Sequence, residues 1–214
     1  DGRQIAYTAT RKGVAQIFLR AMDALEAKPV PGTEGGRGVF FSLDSQWLGF
    51  GAGGTLKKLS VAGGAAIAVS NAPNSFGAAW TSRGTIVFQP TQNSALQQVP
   101  DAGGGAQALT HLDEGETGHR WPEPLPGGRA VLFVADRNGA RQVAVYPIET
   151  SKPQNLVEGT QPRYVSTGHL LYSQAGTVMA APFDAQSLAI TGRAVPVIEN
   201  VLEDGQYGAA QYAV

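Results

Sequence analysis

A chain of 214 residues with 43% apolar residues and a formal net charge of −1 has the length of one all-β domain and lacks the basic excess that nucleic-acid phosphates demand. It contains no cysteine, which excludes disulfides and thiolate metal sites, and no apolar run reaches the roughly 18–20 residues of a membrane span. Its 28 glycines and 13 prolines suit short strands and tight turns, and no helical periodicity is sustained.

In chain order, a tight turn followed by an alternating strand recurs five times. Asp1-Gly2-Arg3-Gln4-Ile5-Ala6-Tyr7 returns as Asp44-Ser45-Gln46-Trp47-Leu48-Gly49-Phe50 and then as Arg83-Gly84-Thr85-Ile86-Val87-Phe88. The fourth and fifth copies are Gly127-Gly128-Arg129-Ala130-Val131-Leu132-Phe133 and Thr167-Gly168-His169-Leu170-Leu171-Tyr172. Marked at the second turn residue, the repeats fall at positions 2, 45, 84, 128 and 168, spaced by 43, 39, 44 and 40 residues. A period near forty of this form is the signature of a β-propeller blade. A single blade cannot bury its own faces, so residues 1–214 read as one all-β propeller domain of four-stranded antiparallel blades.

Innermost strands are predicted at 38–42, 77–80, 120–125, 162–165 and 209–214, and second strands directly after each turn. Third strands are predicted at 15–20, 55–61, 95–99, 141–148 and 177–182, and fourth strands at 28–31, 65–69, 107–109, 153–156 and 194–198. Pro29, Pro31, Pro153 and Pro196 fall at these outer edges, where a missing N–H costs no ladder bond. Asn138-Gly139 predicts a type I′ hairpin. Residues 21–27 have helix-forming composition but fall where blade one must turn, so a turn is expected. Phe41, Trp80 and Tyr164, with Pro124 as the exception, recur four residues before the mark and are expected to pack one blade on the next.

Blade one lacks an innermost strand, and 209–214 is an innermost strand with no blade after it. Two readings stay open: a five-bladed ring closed by the C-terminal strand, or a slice of a six- to eight-bladed ring. Asp1 falls inside a repeat turn, so no leader or targeting segment is read from the sequence.

The repeat resembles that of TolB-like propellers, whose turn is Ser-Pro-Asp-Gly followed by an Ile-Ala-Phe-like strand. Two stretches carry a narrower resemblance. One is Gly115-Glu116-Thr117-Gly118-His119-Arg120-Trp121-Pro122 with Leu125-Pro126-Gly127-Gly128; the other is Pro182-Phe183-Asp184 with Leu188, Thr191-Gly192 and Val195-Pro196-Val197. Both are similar to blades from the C-terminal, extracytoplasmic propellers of bacterial membrane-anchored serine/threonine kinases. The resemblance implies a sensor or scaffold domain of a larger bacterial protein, periplasmic or otherwise extracytoplasmic. Asp44-Ser45, Ser82-Arg83-Gly84 and Ser166-Thr167-Gly168 depart from the consensus turn, and no kinase catalytic segment is present.

The sequence holds no G-x-S-x-G elbow, no H-E-x-x-H, no P-loop and no D-x-D-x-D-G calcium loop. Its three histidines, His111, His119 and His169, are scattered, so neither a metal nor a cofactor is expected and no catalytic residue is assigned. The richest stretch is the connection from 109 to 121, with His111, Asp113, Glu114, Glu116, His119 and Arg120. A second connection, 199–208, brings Glu199, Glu203 and Asp204 to the same predicted face. Together they read as an acidic rim at one channel mouth for a cation, a basic peptide, a protein or a small ligand. The competing reading is structural: solvated loops, with Arg120 bracing loop carboxylates and Trp121 packed between blades. Glu123 and Arg163, at equivalent positions of neighbouring innermost strands, are expected to pair. The functional expectation is a non-catalytic binding or scaffold module without nucleic-acid or membrane-inserting character. The alternatives are the gating propeller of a prolyl-oligopeptidase-like hydrolase with its catalytic domain elsewhere, and a metal-dependent propeller enzyme.

Overall fold

The computed structural model describes residues 2–73 and 77–214. Asp1, which opens the first repeat turn, lies outside the described residues. The alternation seen in the sequence becomes five antiparallel blades, each built as a meander. Blade one is β1 (Gln4–Arg11), β2 (Val14–Ala21) and β3 (Lys28–Pro29). Blade two is β4 (Arg37–Phe41), β5 (Trp47–Ala52), β6 (Thr55–Ser60) and β7 (Ile67–Asn71). Blade three is β8 (Ala78–Trp80), β9 (Thr85–Phe88), β10 (Gln97–Pro100) and β11 (Gln107–Ala108). Blade four is β12 (Glu116–Pro124), β13 (Ala130–Arg137), β14 (Ala140–Pro147) and β15 (Gln154–Glu158). In blade five, β16 (Thr160–Val165), β17 (His169–Gln174) and β18 (Thr177–Asp184) lead to β19 (Ala189–Ile190) and β20 (Val195–Ile198), which pair with opposite ends of β18. The fold class is the expected all-β propeller of mainly four-stranded blades.

Local chemistry sets the blade geometry. Lys12-Gly13, Gly53-Gly54, Asn138-Gly139 and Ala175-Gly176 each hold two consecutive left-handed residues between paired strands, the type I′ signature that matches strand twist. At the opposite end of blade two, Asp44 accepts from the Gln46 N–H at 3.0 Å while the Ser42 hydroxyl accepts from the Trp47 N–H at 2.9 Å, closing the repeat turn. Residues 22–27 form turns and bends, as expected. Pro29 and Pro196 lie in edge strands β3 and β20, whereas Pro31 and Pro153 flank the outer strands.

The chain divides into two compact units, Asp1–Gln92 with Gln97–Ala108, and Asn93–Leu96 with Leu109–Val214. In the first, one core joins Ile17, Leu48, Phe50 and Leu59, with Phe41 against it. A second joins Leu56, Trp80, Ile86, Phe88 and Val99, with Phe40 against it. In the second unit Leu125, Leu132, Val143, Leu170, Tyr172 and Phe183 form the core, and Tyr164 packs on it. Phe41, Trp80 and Tyr164 are therefore core residues.

The C-terminal strand is shorter than expected. Blade one has three strands, and within 209–214 only β22 (Ala209–Ala210) is a strand, paired with β21 (Glu203–Asp204). The physical reason lies in its main-chain bonds: the Ala210 N–H goes to the Gln161 side chain and the Tyr212 N–H turns back to the Ala210 carbonyl, so these groups are withdrawn from a ladder.

Candidate functional site

Every residue of the predicted rim lies in the second unit. The expected loop 109–121 is shorter than predicted, because β12 begins at Glu116 and takes Glu116, His119 and Arg120 into a strand. His111, Asp113 and Glu114 remain on the exposed connection. The rim separates into three groups with different chemistry.

The first group is centred on His119, which is 1% exposed and packs its ring 4.6 Å from that of Phe133. Its Nε2 lies 3.0 Å from Glu116 Oε2, and its Nδ1 lies 2.7 Å from Thr110 Oγ1. A carboxylate can only accept, so the proton sits on Nε2, and the Thr110 hydroxyl donates to Nδ1. That hydroxyl in turn accepts the Leu96 N–H at 2.9 Å. Burial holds the His119 pKa below its ordinary value, against the pull of Glu116, Asp113 and Asp136. Burial alone would raise Glu116, but the Asp113 N–H, His119 and Arg137 together bring its pKa below the usual carboxylate value. A hydroxyl–imidazole–carboxylate chain has the connectivity of a nucleophilic relay. Here Thr110 is 1% exposed and its oxygen already accepts the Leu96 N–H, so the chain fastens the 109–116 connection to β12.

The second group is centred on Asp136. Arg120 Nε bonds its Oδ2, and Arg141 Nε lies 3.4 Å from its Oδ1. Arg120 was expected to brace the loop carboxylates; it pairs instead with a carboxylate of β13. Asp136 and Arg141 were not singled out in the sequence, because alternating charged residues on a hairpin read as ordinary surface. The third group is Glu203, which accepts from the Ser173 hydroxyl, and Asp204, whose Oδ1 accepts from the Gln206 N–H at 2.8 Å and the Tyr207 N–H at 3.2 Å. Arg141, Glu158, Thr160, Ser173, Gln174 and Glu203 line a cleft of about 200 Å³ beside these groups.

Glu123 and Arg163 pair as expected, with Arg163 Nη1 3.0 Å from Glu123 Oε2. Burial pushes the Glu123 pKa up while the Arg163 guanidinium opposes it. Burial also raises Tyr212, whose hydroxyl is committed to the Gln161 carbonyl. Among the described residues no group of three or more His, Cys, Asp or Glu side chains is arranged to hold a metal ion.

Innermost strands carry a further shared feature. Seven residues before each of the last four marks the backbone is left-handed: Gly38, Gly77, Trp121 and Gln161, with φ of 60°, 91°, 51° and 51°. In β4, β12 and β16 the register shifts there, as at a β-bulge. Trp121 and Gln161 hold a conformation that non-glycine residues adopt at a cost of about 1–2 kcal/mol. Both contact the C-terminal segment: Trp121 Nε1 donates to the Tyr207 carbonyl at 3.1 Å, and Gln161 Oε1 accepts the Ala210 N–H at 3.1 Å. The alignment of these positions with Gly38 and Gly77 was available in the sequence, but nothing in a Trp-Pro or Gln-Pro pair discloses a left-handed residue.

No protein-family model matches this sequence, and no curated protein matches it. Solved structures do. TolB from Acinetobacter baumannii aligns at a TM-score of 0.70 with 15% identity, over 92% of this chain and 52% of that one. A chain of a nidogen–laminin complex aligns at 0.74 with 12% identity, over 92% of this chain and 78% of that one. An oligogalacturonate lyase in complex with manganese aligns at 0.51 with 12% identity, over 85% of this chain and 72% of that one. The class is thus a TolB-like β-propeller in fold. The chain spans about half the length of the Acinetobacter TolB.

Proposed function

We propose that this chain is a non-catalytic binding module, the protein- or peptide-binding propeller of a larger extracytoplasmic bacterial protein. The observation that carries the reading is the fate of the chemistry-bearing side chains. His119 is bonded at both ring nitrogens, Glu116 at both oxygens, and Arg120 is paired with Asp136. Groups held in this way position backbone and leave an adjacent polar cleft of about 200 Å³ for recognition. The similarity in fold to TolB and to a chain of a protein–protein complex supports the same reading.

The test uses melting temperature, since a ligand of the native state raises it by mass action. Short peptides of differing charge are expected to raise the melting point, and Arg141→Ala is expected to abolish the rise. Chelator and added manganese, calcium or zinc are expected to leave it unmoved. Stabilisation by a metal without any response to peptides would replace this reading with that of a metal-dependent enzyme.

A further inference from the structure

Among the described residues blade one has no innermost strand, and its sheet runs β1-β2-β3 with β1 at an edge. The other four blades show what such an edge receives. In each, the second strand pairs with an innermost strand that reaches it through the repeat turn. The pairing sets Phe41 opposite Leu48, Trp80 opposite Ile86 and Tyr164 opposite Leu170, with Pro124 opposite Val131 as the exception. The carbonyls of Trp47, Thr85 and Ala130 each accept an N–H from the residue just past the innermost strand, at 2.8–2.9 Å. By position in the repeat, Gln4 holds that acceptor place in β1, and Ile5 is the residue that the aromatic side chain faces.

Exposure agrees with this reading. Ile5 and Tyr7 are 37% and 40% exposed, whereas Leu48, Phe50, Ile86, Phe88, Leu170 and Tyr172, at the same places of other blades, are 2% exposed or less. Tyr7 stacks on Phe18 with ring centroids 5.9 Å apart, so the apolar groups of β1 and β2 form one face. The edge also lacks the devices by which proteins block strand addition. β3 and β11 are two residues long, and β3 and β20 carry proline. β1 has eight residues, no proline and an unbroken register with β2. An open edge of that length takes up an extended strand through main-chain bonds, and alternate side chains give the selectivity.

We infer that the open edge of β1 is the acceptor for a strand supplied by the larger protein, antiparallel to β1, with an N–H on the Gln4 carbonyl and an aromatic side chain opposite Ile5. The source is the same polypeptide, since every innermost strand seen here reaches its second strand through the repeat turn. The inference rests on the reading of this chain as part of a larger protein, and it does not involve the cleft at Arg141.

The experiment fuses a copy of residues 34–43 directly ahead of Asp1 in the full chain. The first two repeats are 43 residues apart, so the copied Phe41 falls opposite Ile5. Amide hydrogen exchange is read along β1. The fusion is expected to slow exchange of the β1 amides at least tenfold and to raise the melting temperature. Phe41→Ser in the copied segment is expected to lose most of that protection. Ile5→Ser is expected to change little in the unaltered chain and to lower the melting temperature of the fused one, which reads the same register from the other strand. Unchanged β1 exchange in the fused chain, or equal protection by the two fusions, overturns the inference. So does a dimer of the unaltered chain that already protects β1, which would make a second copy the occupant. The response to charged peptides and its loss in Arg141→Ala test the binding reading separately, so either can fail alone.

Discussion

Gly49 and Phe40 show how a single residue is fixed by its neighbour. On β5, Gly49 faces Phe40 of β4, and the phenyl ring covers the space that a Cβ would fill. The ring lies over bare backbone and also meets Trp80, with centroids 5.4 Å apart. Gly49→Ala therefore displaces the ring and costs about 1–3 kcal/mol, the range for overpacking a filled core. Urea unfolding of the single variant checks this, and a Gly49→Ala, Phe40→Leu double variant is expected to regain part of the loss. His119 supplies the second prediction at this scale. Its folded-state pKa lies below its ordinary value, so the unfolded chain binds the proton more readily. Its contribution to stability is complete above about pH 6.5 and declines as pH falls below that value. Glu116, depressed in the folded state, contributes above its ordinary value of 4.5 and loses that contribution as the pH falls through its folded pKa. Acid titration of stability is expected to show two windows, and His119→Gln is expected to flatten the upper one. The sequence placed His119 and Glu116 on one connection but did not show them as a bonded pair. Thr110 was not singled out, because its role depends on a chain reversal that no local pattern announces.

At the level of strands, the pairing of Glu123 on β12 with Arg163 on β16 was legible because the two sit at the same place in successive repeats. Their surroundings decide what the pair is worth. The side chains retain 22% and 27% exposure, so the attraction is partly screened and partly offset by desolvation. Removing one partner strands the other in a poorly hydrated place. Arg163→Met is expected to cost about 1–3 kcal/mol, and the Glu123→Leu, Arg163→Met pair less than the sum of the single changes. A double-mutant cycle by urea unfolding measures the coupling, and strictly additive losses would show that the ion pair has no energetic role. The bulges next to this pair were not legible. Gly38 and Gly77 mark the left-handed position in blades two and three, but Trp121 and Gln161 occupy it in blades four and five against their own preference. Contacts distant in sequence, to Tyr207 and Ala210, hold them there, and separations of 86 and 49 residues leave no local trace.

Over the whole molecule, the repeat was readable because each blade reuses one turn and one alternating strand, and that pattern survives drift at single positions. Burial was less readable, since it depends on which faces of a blade are covered. β13 runs Ala130–Arg137 with every residue buried except the last, while no residue of β1 is fully buried. Both are eight-residue second strands with the same predicted character. They differ because β13 is flanked by β12 and β14 and packs within the second unit's core, whereas β1 pairs with β2 alone. Amide hydrogen exchange converts this into a measurable quantity. Exchange of the β13 amides is expected to require global opening of their unit, and that of β1 only local fraying, a gap of roughly a few kcal/mol in protection. If β1 were as protected as β13, its free edge would have to be covered by something other than its sheet partner β2. In that case blade one would behave as an integral part of the cooperative core; with the expected gap, it opens more readily than blade four.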